Sequence, residues 1–221
     1  MNEETLNYSQ MRQLMVTEQL WQRGIRDKAV LRAMGTVPRE QFVLPEHRHL
    51  AYDDGPLPIP ARQTISQPYV VALMIEALNL SPDDQVLDIG TGSGYAAAVI
   101  SRIVRQVISV ERHAELAKYA RIRLQNLGYD NVIIHHGDGS QGWPPEAPYG
   151  AIIVAASGPD IPPALCTQLA VGGRLVMPVG GRKRDQKLMR VIHHPDGQFN
   201  RKMIGEVRFV PLIGAEGWRT E

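Results

Sequence analysis

Apolar positions along this chain follow two rhythms, a helical one at the start and a strand-and-helix alternation afterwards. From about Ser9 to Gly24, Met11, Leu14, Met15 and Leu20 recur at helical spacing, and Gly24 stands as the stop. Asp27 is placed to cap a second helix carrying Val30, Leu31 and Met34. Residues 51–63 hold Pro56, Pro58 and Pro60 and read as an extended surface loop. Gln63-Thr64-Ile65-Ser66-Gln67-Pro68-Tyr69 then opens a third helix, with Val70, Val71, Leu73, Met74, Ile75, Ala77 and Leu78 behind it. After a turn at Ser81–Asp84 the rhythm changes. Short apolar runs at Gln85–Ile89, Gln106–Val110, Asn131–His135, Ala151–Val154 and Gly173–Pro178 predict strands. Helical stretches at about 96–101, 113–127 and 162–169 separate most of them. Two more strands, Leu188–Ile192 and Lys202–Pro211, flank the turn Pro195-Asp196-Gly197.

This alternation predicts an α/β fold: a doubly wound, mostly parallel seven-stranded sheet with N-terminal helices and an antiparallel C-terminal edge. The expectation is one domain over residues 1–221, with a helical cap and substrate loop in 1–80, a ligand-binding core in 84–178 and C-terminal strands in 187–213. Ligands of such sheets bind outside the carboxyl ends of the strands.

Composition narrows the partners. The chain has 24 basic and 23 acidic residues, net +1, with the two signs interspersed. That leaves no basic footprint for a nucleic acid. The lone Cys166 rules out an internal disulfide and a cysteine metal cluster. The pairs His135-His136 and His193-His194 lie on strands, where neighbours face opposite ways, so no metal site is expected from them. Met1-Asn2-Glu3-Glu4-Thr5 is polar and acidic, unlike a signal peptide, and no apolar run nears membrane-spanning length. The expectation is a monomeric cytoplasmic protein with no nucleic-acid, membrane or metal partner.

The chemistry concentrates in Gln85-Val86-Leu87-Asp88-Ile89-Gly90-Thr91-Gly92-Ser93-Gly94-Tyr95. Strand, glycine turn and helix in succession open a nucleotide-binding unit. The spacing is not that of a dinucleotide site, because Tyr95 stands where the third glycine would fall. Asp88 at the strand end would repel a diphosphate but suits a cation. S-adenosyl-L-methionine carries a sulfonium and an ammonium against one carboxylate, so the loop points to that methyl donor, with S-adenosyl-L-homocysteine as the product. Glu111 ends the second strand, where an acid accepts from a ribose diol, and Arg112 follows it. Asp138, in Gly137-Asp138-Gly139, is placed to accept from the adenine amino group. The candidate donor site is Asp88, Gly90, Thr91, Gly92, Ser93, Gly94, Glu111, Arg112, Asp138 and Gly139 in a Rossmann-like, S-adenosylmethionine-dependent methyltransferase.

Four further stretches occur in a fixed order: Val37-Pro38-Arg39-Glu40-Gln41-Phe42-Val43, Gln63-Thr64-Ile65-Ser66-Gln67-Pro68-Tyr69, Gly137-Asp138-Gly139 with Gly142-Trp143, and Val207-Arg208-Phe209-Val210-Pro211-Leu212. With them the chain, from about residue 14 to 213, resembles the protein-L-isoaspartate O-methyltransferases. The resemblance implies methyl transfer to the α-carboxylate of L-isoaspartyl residues in damaged proteins and peptides, followed by unassisted closure to a succinimide. It implies Ser66 at the active site and a peptide groove lined by Val210, Pro211 and Leu212, with Thr64 and Ile65 beside Ser66. The chemistry agrees, since an ionised carboxylate needs no general base to attack a methyl group. The competing reading for Ser66 is a cap on the helix that follows it, a role that can coexist with the first because the hydroxyl also accepts. Three positions depart from the family pattern: Pro60-Ala61-Arg62 where glycines are usual, Gly150 where an Asp is usual, and Ile213 where some members carry a hydroxyl. At this point two other readings stay open: a methyltransferase of the same fold with another acceptor, and a donor-binding protein that docks partners through the Val-Pro-Leu edge.

Overall fold

The computed structural model describes residues 6–182 and 184–219; Met1–Thr5, Lys183, Thr220 and Glu221 of the sequence lie outside the described residues. Helix α1 (Tyr8–Leu14) starts at an Asn7–Gln10 capping box and continues into a π-helical stretch, Met15–Trp21. Helix α2 (Lys28–Thr36) is capped by the Asp27 carboxylate, which accepts from the backbone of Ala29 and Val30. Residues 51–63, expected as an extended loop, instead begin a small hairpin of β1 (Leu57–Ile59) and β2 (Gln63–Ile65). Leu57, Ile59 and Ile65 are buried, whereas Pro58 faces outward, where its missing N–H costs nothing.

Helix α3 (Pro68–Leu78) leads to β3 (Gln85–Ile89), and α4 (Tyr95–Ser101) follows the glycine turn. Then come β4 (Gln106–Glu111), α5 (Ala114–Asn126), β5 (Val132–His136), β6 (Tyr149–Val154), the short α6 (Pro163–Thr167), β7 (Leu169–Gly180), β8 (Gln186–His193) and β9 (Phe199–Val207). The main sheet has the order β5-β4-β3-β6-β7-β8-β9. Neighbouring strands from β5 through β7 pair parallel, and β8 and β9 are added by antiparallel hairpins. The edge strand β9 displays Arg201 and Lys202 to solvent, which discourages pairing with another sheet.

Two core clusters lie on the two faces. One joins Val86, Val107, Ala151, Ile153 and Val176 to helices α2 to α5. The other joins Leu87, Ile108, Ile152, Val154 and Leu175 to α6 and the loops around it. The second face has lean cover because residues 137–148 hold Gly137, Gly139, Gly142, Pro144, Pro145 and Pro148, a run that cannot sustain a helix. Gly150 has a visible reason. A Cβ there would meet the Asp84 carboxylate at 2.3 Å, and Arg174 ties that carboxylate (2.6 Å) to the Gly150 carbonyl (2.8 Å). Among the described residues no helix is long and apolar enough to cross a membrane.

Candidate active site

The carboxyl ends of β3, β4 and β6 meet the β1–β2 hairpin and the segment after β9 around one cavity of about 240 Å³. Crossing from β3 to α4 requires left-handed backbone at Gly90, Gly92 and Gly94, with φ of 89°, 54° and 90°. Opposite, Gly139 packs so close that a Cβ would sit 2.4 Å from Ile89.

Most of the sequence-predicted residues line this cavity: Thr64, Ile65 and Ser66; Gly90, Thr91, Gly92 and Ser93; Glu111 and Arg112; Gly139; and Val210, Pro211 and Leu212. Three do not. Gly94 is the N-cap of α4, and a Cβ there would meet Leu124 at 3.2 Å and Ala120 at 3.5 Å, both on α5. Asp138 turns its carboxylate to Ser140, through the backbone N–H (2.9 Å) and Oγ (2.7 Å), and to the backbone N–H of Ala215 (2.7 Å). It thereby straps the C-terminal segment down, and Gly214 beside it leaves no room for a side chain.

Asp88 is fully buried beneath the loop, not in the lining. Ser109 donates to its Oδ2 at 2.7 Å and shares a 2.6 Å hydrogen bond with Thr91, which does reach the cavity. Among the described residues Asp88 Oδ1 is buried with no hydrogen-bond partner. Burial pushes the Asp88 carboxyl up to about 6; the Ser109 bond pulls it down and the neighbouring Glu111 pushes it up further. A carboxyl raised in this way binds protons more readily folded than unfolded, so its contribution to stability falls as pH rises from about 4 to about 6. Asp88→Asn is therefore expected to stabilise the unliganded protein at pH 8 by roughly 1–3 kcal/mol, with the gain vanishing near pH 4. Denaturant titrations of both proteins across that window would show the difference, and a gain independent of pH would refute the assignment.

Glu111 holds the loop's geometry. Its carboxylate accepts from the backbone N–H of Gly92 (2.9 Å) and of His113 (2.9 Å), bridging the ends of β3 and β4. A carboxylate has about four acceptor sites, so acceptors remain for a ligand.

Ser66 does not cap α3. The cap position is Gln67, with no side-chain cap bond, and Pro68 begins the helix. Among the described residues the Ser66 hydroxyl has no hydrogen-bond partner, and Ser66 lines both the cavity and the adjoining groove of about 770 Å³. Its carbonyl is held by Arg39, whose Nη2 donates at 2.8 Å while Nε donates to Ala51 at 2.7 Å. Arg39 is wholly buried and lies 4.8 Å from the Tyr95 ring centroid. It lies in the Val37–Val43 stretch that carries the family resemblance, but nothing there set Arg39 apart from its neighbours. Ser109 did leave a signal: a hydroxyl in a strand buried on both faces needs a partner.

The Val210-Pro211-Leu212 segment was expected in a strand, but β9 stops at Val207. The chain leaves the edge and crosses the carboxyl ends of the sheet. There Ser157 N–H donates to the Val210 carbonyl (2.8 Å), and Leu212 N–H donates to the Ser157 carbonyl (2.9 Å). Among the described residues no group of three or more His, Cys, Asp and Glu side chains is placed to hold a metal ion.

The order of the sheet, the glycine turn and the acid-ended β4 over one cavity define the class: a Rossmann-like methyltransferase fold. The sequence profile of the protein-L-isoaspartate(D-aspartate) O-methyltransferase family matches residues 10–217. Protein-L-isoaspartate O-methyltransferase 2 of Pelobacter propionicus is 58% identical over 212 residues, covering 96% of this chain and 94% of its own. Its counterpart in Marinobacter nauticus is 52% identical, covering 99% and 100%. Among solved structures, a protein-L-isoaspartate O-methyltransferase superposes with TM-score 0.82 at 31% identity, over 93% of this chain and 67% of that one. A putative Plasmodium falciparum enzyme of the same description, in complex with S-adenosyl-L-homocysteine, gives 0.77 at 27% identity, over 91% and 98%. The chain belongs to the protein-L-isoaspartate(D-aspartate) O-methyltransferase family.

Proposed function

We propose that this protein transfers a methyl group from S-adenosyl-L-methionine to the α-carboxylate of L-isoaspartyl residues in proteins and peptides, which starts their repair through a succinimide. The observation that carries this is the shared cavity: the glycine loop and Glu111 lie on one side, with Ser66 and Val210–Leu212 on the other. The residues present fit the donor. Glu111 offers free acceptor sites to a ribose, and the unpartnered Asp88 Oδ1 supplies negative charge beneath the loop for a cationic ligand. Ile89, Val110, Ala156 and Leu212 give apolar walls.

Bound there, the donor supplies a methyl group on a sulfonium, which an ionised carboxylate attacks without a base. Catalysis by the chain is then alignment and exclusion of water. Ser66 donates its free hydroxyl to the acceptor carboxylate and aims it. Val210, Pro211 and Leu212 cover the site and keep it dry. On this proposal 84–178 holds the donor, 1–80 contributes the cap and the Ser66 segment, and 187–213 forms the groove wall.

Ser66→Ala is expected to lower kcat by roughly 10–100-fold with little change in donor Kd, because the hydroxyl acts on the acceptor. Since it caps nothing, the melting temperature should stay within about 2 °C. A fall in stability with turnover intact would remove Ser66 from the site. The reaction itself is tested with labelled donor and two peptides differing only in an L-isoaspartyl or L-aspartyl linkage. Base-labile transfer to the first alone is expected, and donor binding without transfer to either would refute the proposal.

A further inference from the structure

The loop between β1 and β2 contains two consecutive residues in a conformation that L side chains rarely adopt. Ala61 has φ 58° and Arg62 φ 56°. The pair Ile59–Gln63 closes the hairpin over three residues, and Gln63 N–H donates back to the Pro60 carbonyl at 3.3 Å. Both central positions of this turn are therefore left-handed, a conformation that glycine or asparagine takes readily. Alanine and arginine take it with strain. A chain with only the turn to satisfy gains from glycine at position 62, so the side chain kept there points to a use.

Arg62 lines the cavity, on the segment that carries Ser66. It is exposed, and among the described residues its guanidinium has no hydrogen bond or ion pair. Glu111, the acid in the cavity lining, forms no ion pair with Arg62 among the described residues. A free, planar, permanently charged fork in such a place fits a carboxylate.

We propose that Arg62 is a specificity residue that pairs with a carboxylate of the acceptor peptide other than the reacting one: an acidic side chain next to the isoaspartyl linkage. This rests on the function proposed above. A fork on the reacting carboxylate would hold back the charge that must move to the methyl group. A fork on its neighbour binds ground and transition states alike, so it lowers KM and leaves kcat alone.

The test compares two isoaspartyl peptides, one with a glutamate beside the linkage and one with a glutamine, in the unaltered protein, Arg62→Gly and Arg62→Lys. Glycine relaxes the turn, so Arg62→Gly should melt no lower than the unaltered protein and cannot fail by unfolding. The unaltered protein should show the lower KM for the glutamate peptide. Arg62→Gly should raise that KM about 3–10-fold and the glutamine peptide's by less than about twofold, with kcat and donor Kd held. Arg62→Lys should keep part of the preference. An equal rise for both peptides would place Arg62 on the reacting carboxylate and overturn the assignment. So would a change in donor Kd alone, or no change for either peptide. If the unaltered protein methylates neither peptide, the functional proposal fails and this inference with it. If it methylates both and Arg62→Gly changes nothing, only the inference fails.

Discussion

Glu111→Ala is expected to weaken donor binding by roughly 2–4 kcal/mol, a loss of about 30- to 1000-fold in Kd. The carboxylate is buried and accepts from the backbone N–H groups of Gly92 and His113. Truncation leaves both donors without a partner at the place where the glycine turn meets β4, so the loop loses its anchor along with any bond to the ligand. Glu111→Gln separates the two effects. Its single amide oxygen can still serve one backbone N–H, so it should keep more of the loop's order and lose about half as much affinity. Titration calorimetry on protein shown to be folded gives the answer. A donor Kd within twofold of the unaltered protein in Glu111→Ala would mean that the carboxylate serves the loop alone.

How far this site could be read without coordinates depended on the kind of signal. Elements whose apolar period is unbroken were legible. The strand at 85–89 and the Asp27 cap fall where pattern and capping chemistry put them, and the strands expected at 106–110 and 151–154 extend to 106–111 and 149–154. What sequence could not give was the direction of a side chain. Asp88 belongs to the glycine motif, yet it is buried beneath the loop because it stands within a strand covered on both faces; Ser109 and Thr91 link it to the cavity. Asp138 lies in the expected loop, but its carboxylate is taken by Ser140 and Ala215, a contact 77 positions away along the chain that no local pattern reports. Residues 51–63 looked like a loop because prolines mask a strand pattern, although Leu57, Pro58 and Ile59 do alternate buried, exposed, buried. Val210–Leu212 has the composition of a strand but lies past the last edge position, held by two bonds to Ser157 rather than by a ladder.

Arg39 carries the largest stability effect expected here. Arg39→Ala should lower the unfolding free energy by about 3–5 kcal/mol, since it opens a cavity beside Tyr95 and strips the Ala51 and Ser66 carbonyls of their donors. The competing consideration is that a buried cation is itself costly. Burial holds the Arg39 pKa below its usual value, and among the described residues its Nη1 has no hydrogen-bond partner and no carboxylate forms an ion pair with it. Arg39→Met decides between the two, because it fills similar volume and has no donors. If desolvation of the charge dominates, Met should be neutral or stabilising. If the two carbonyls dominate, Met should still cost about 2–3 kcal/mol, at 1–3 kcal/mol for each buried acceptor left unpaired, less the relief of the buried charge. The second outcome is expected, because the two bonds are short and both acceptors lie on segments with no other anchor at those atoms. Urea unfolding measures it directly. Releasing the Ser66 carbonyl also frees the backbone that aims the Ser66 hydroxyl, so the Met variant should lose more in kcat than in donor affinity. Equal losses in both would show that Arg39 supports the fold generally and not the Ser66 segment in particular.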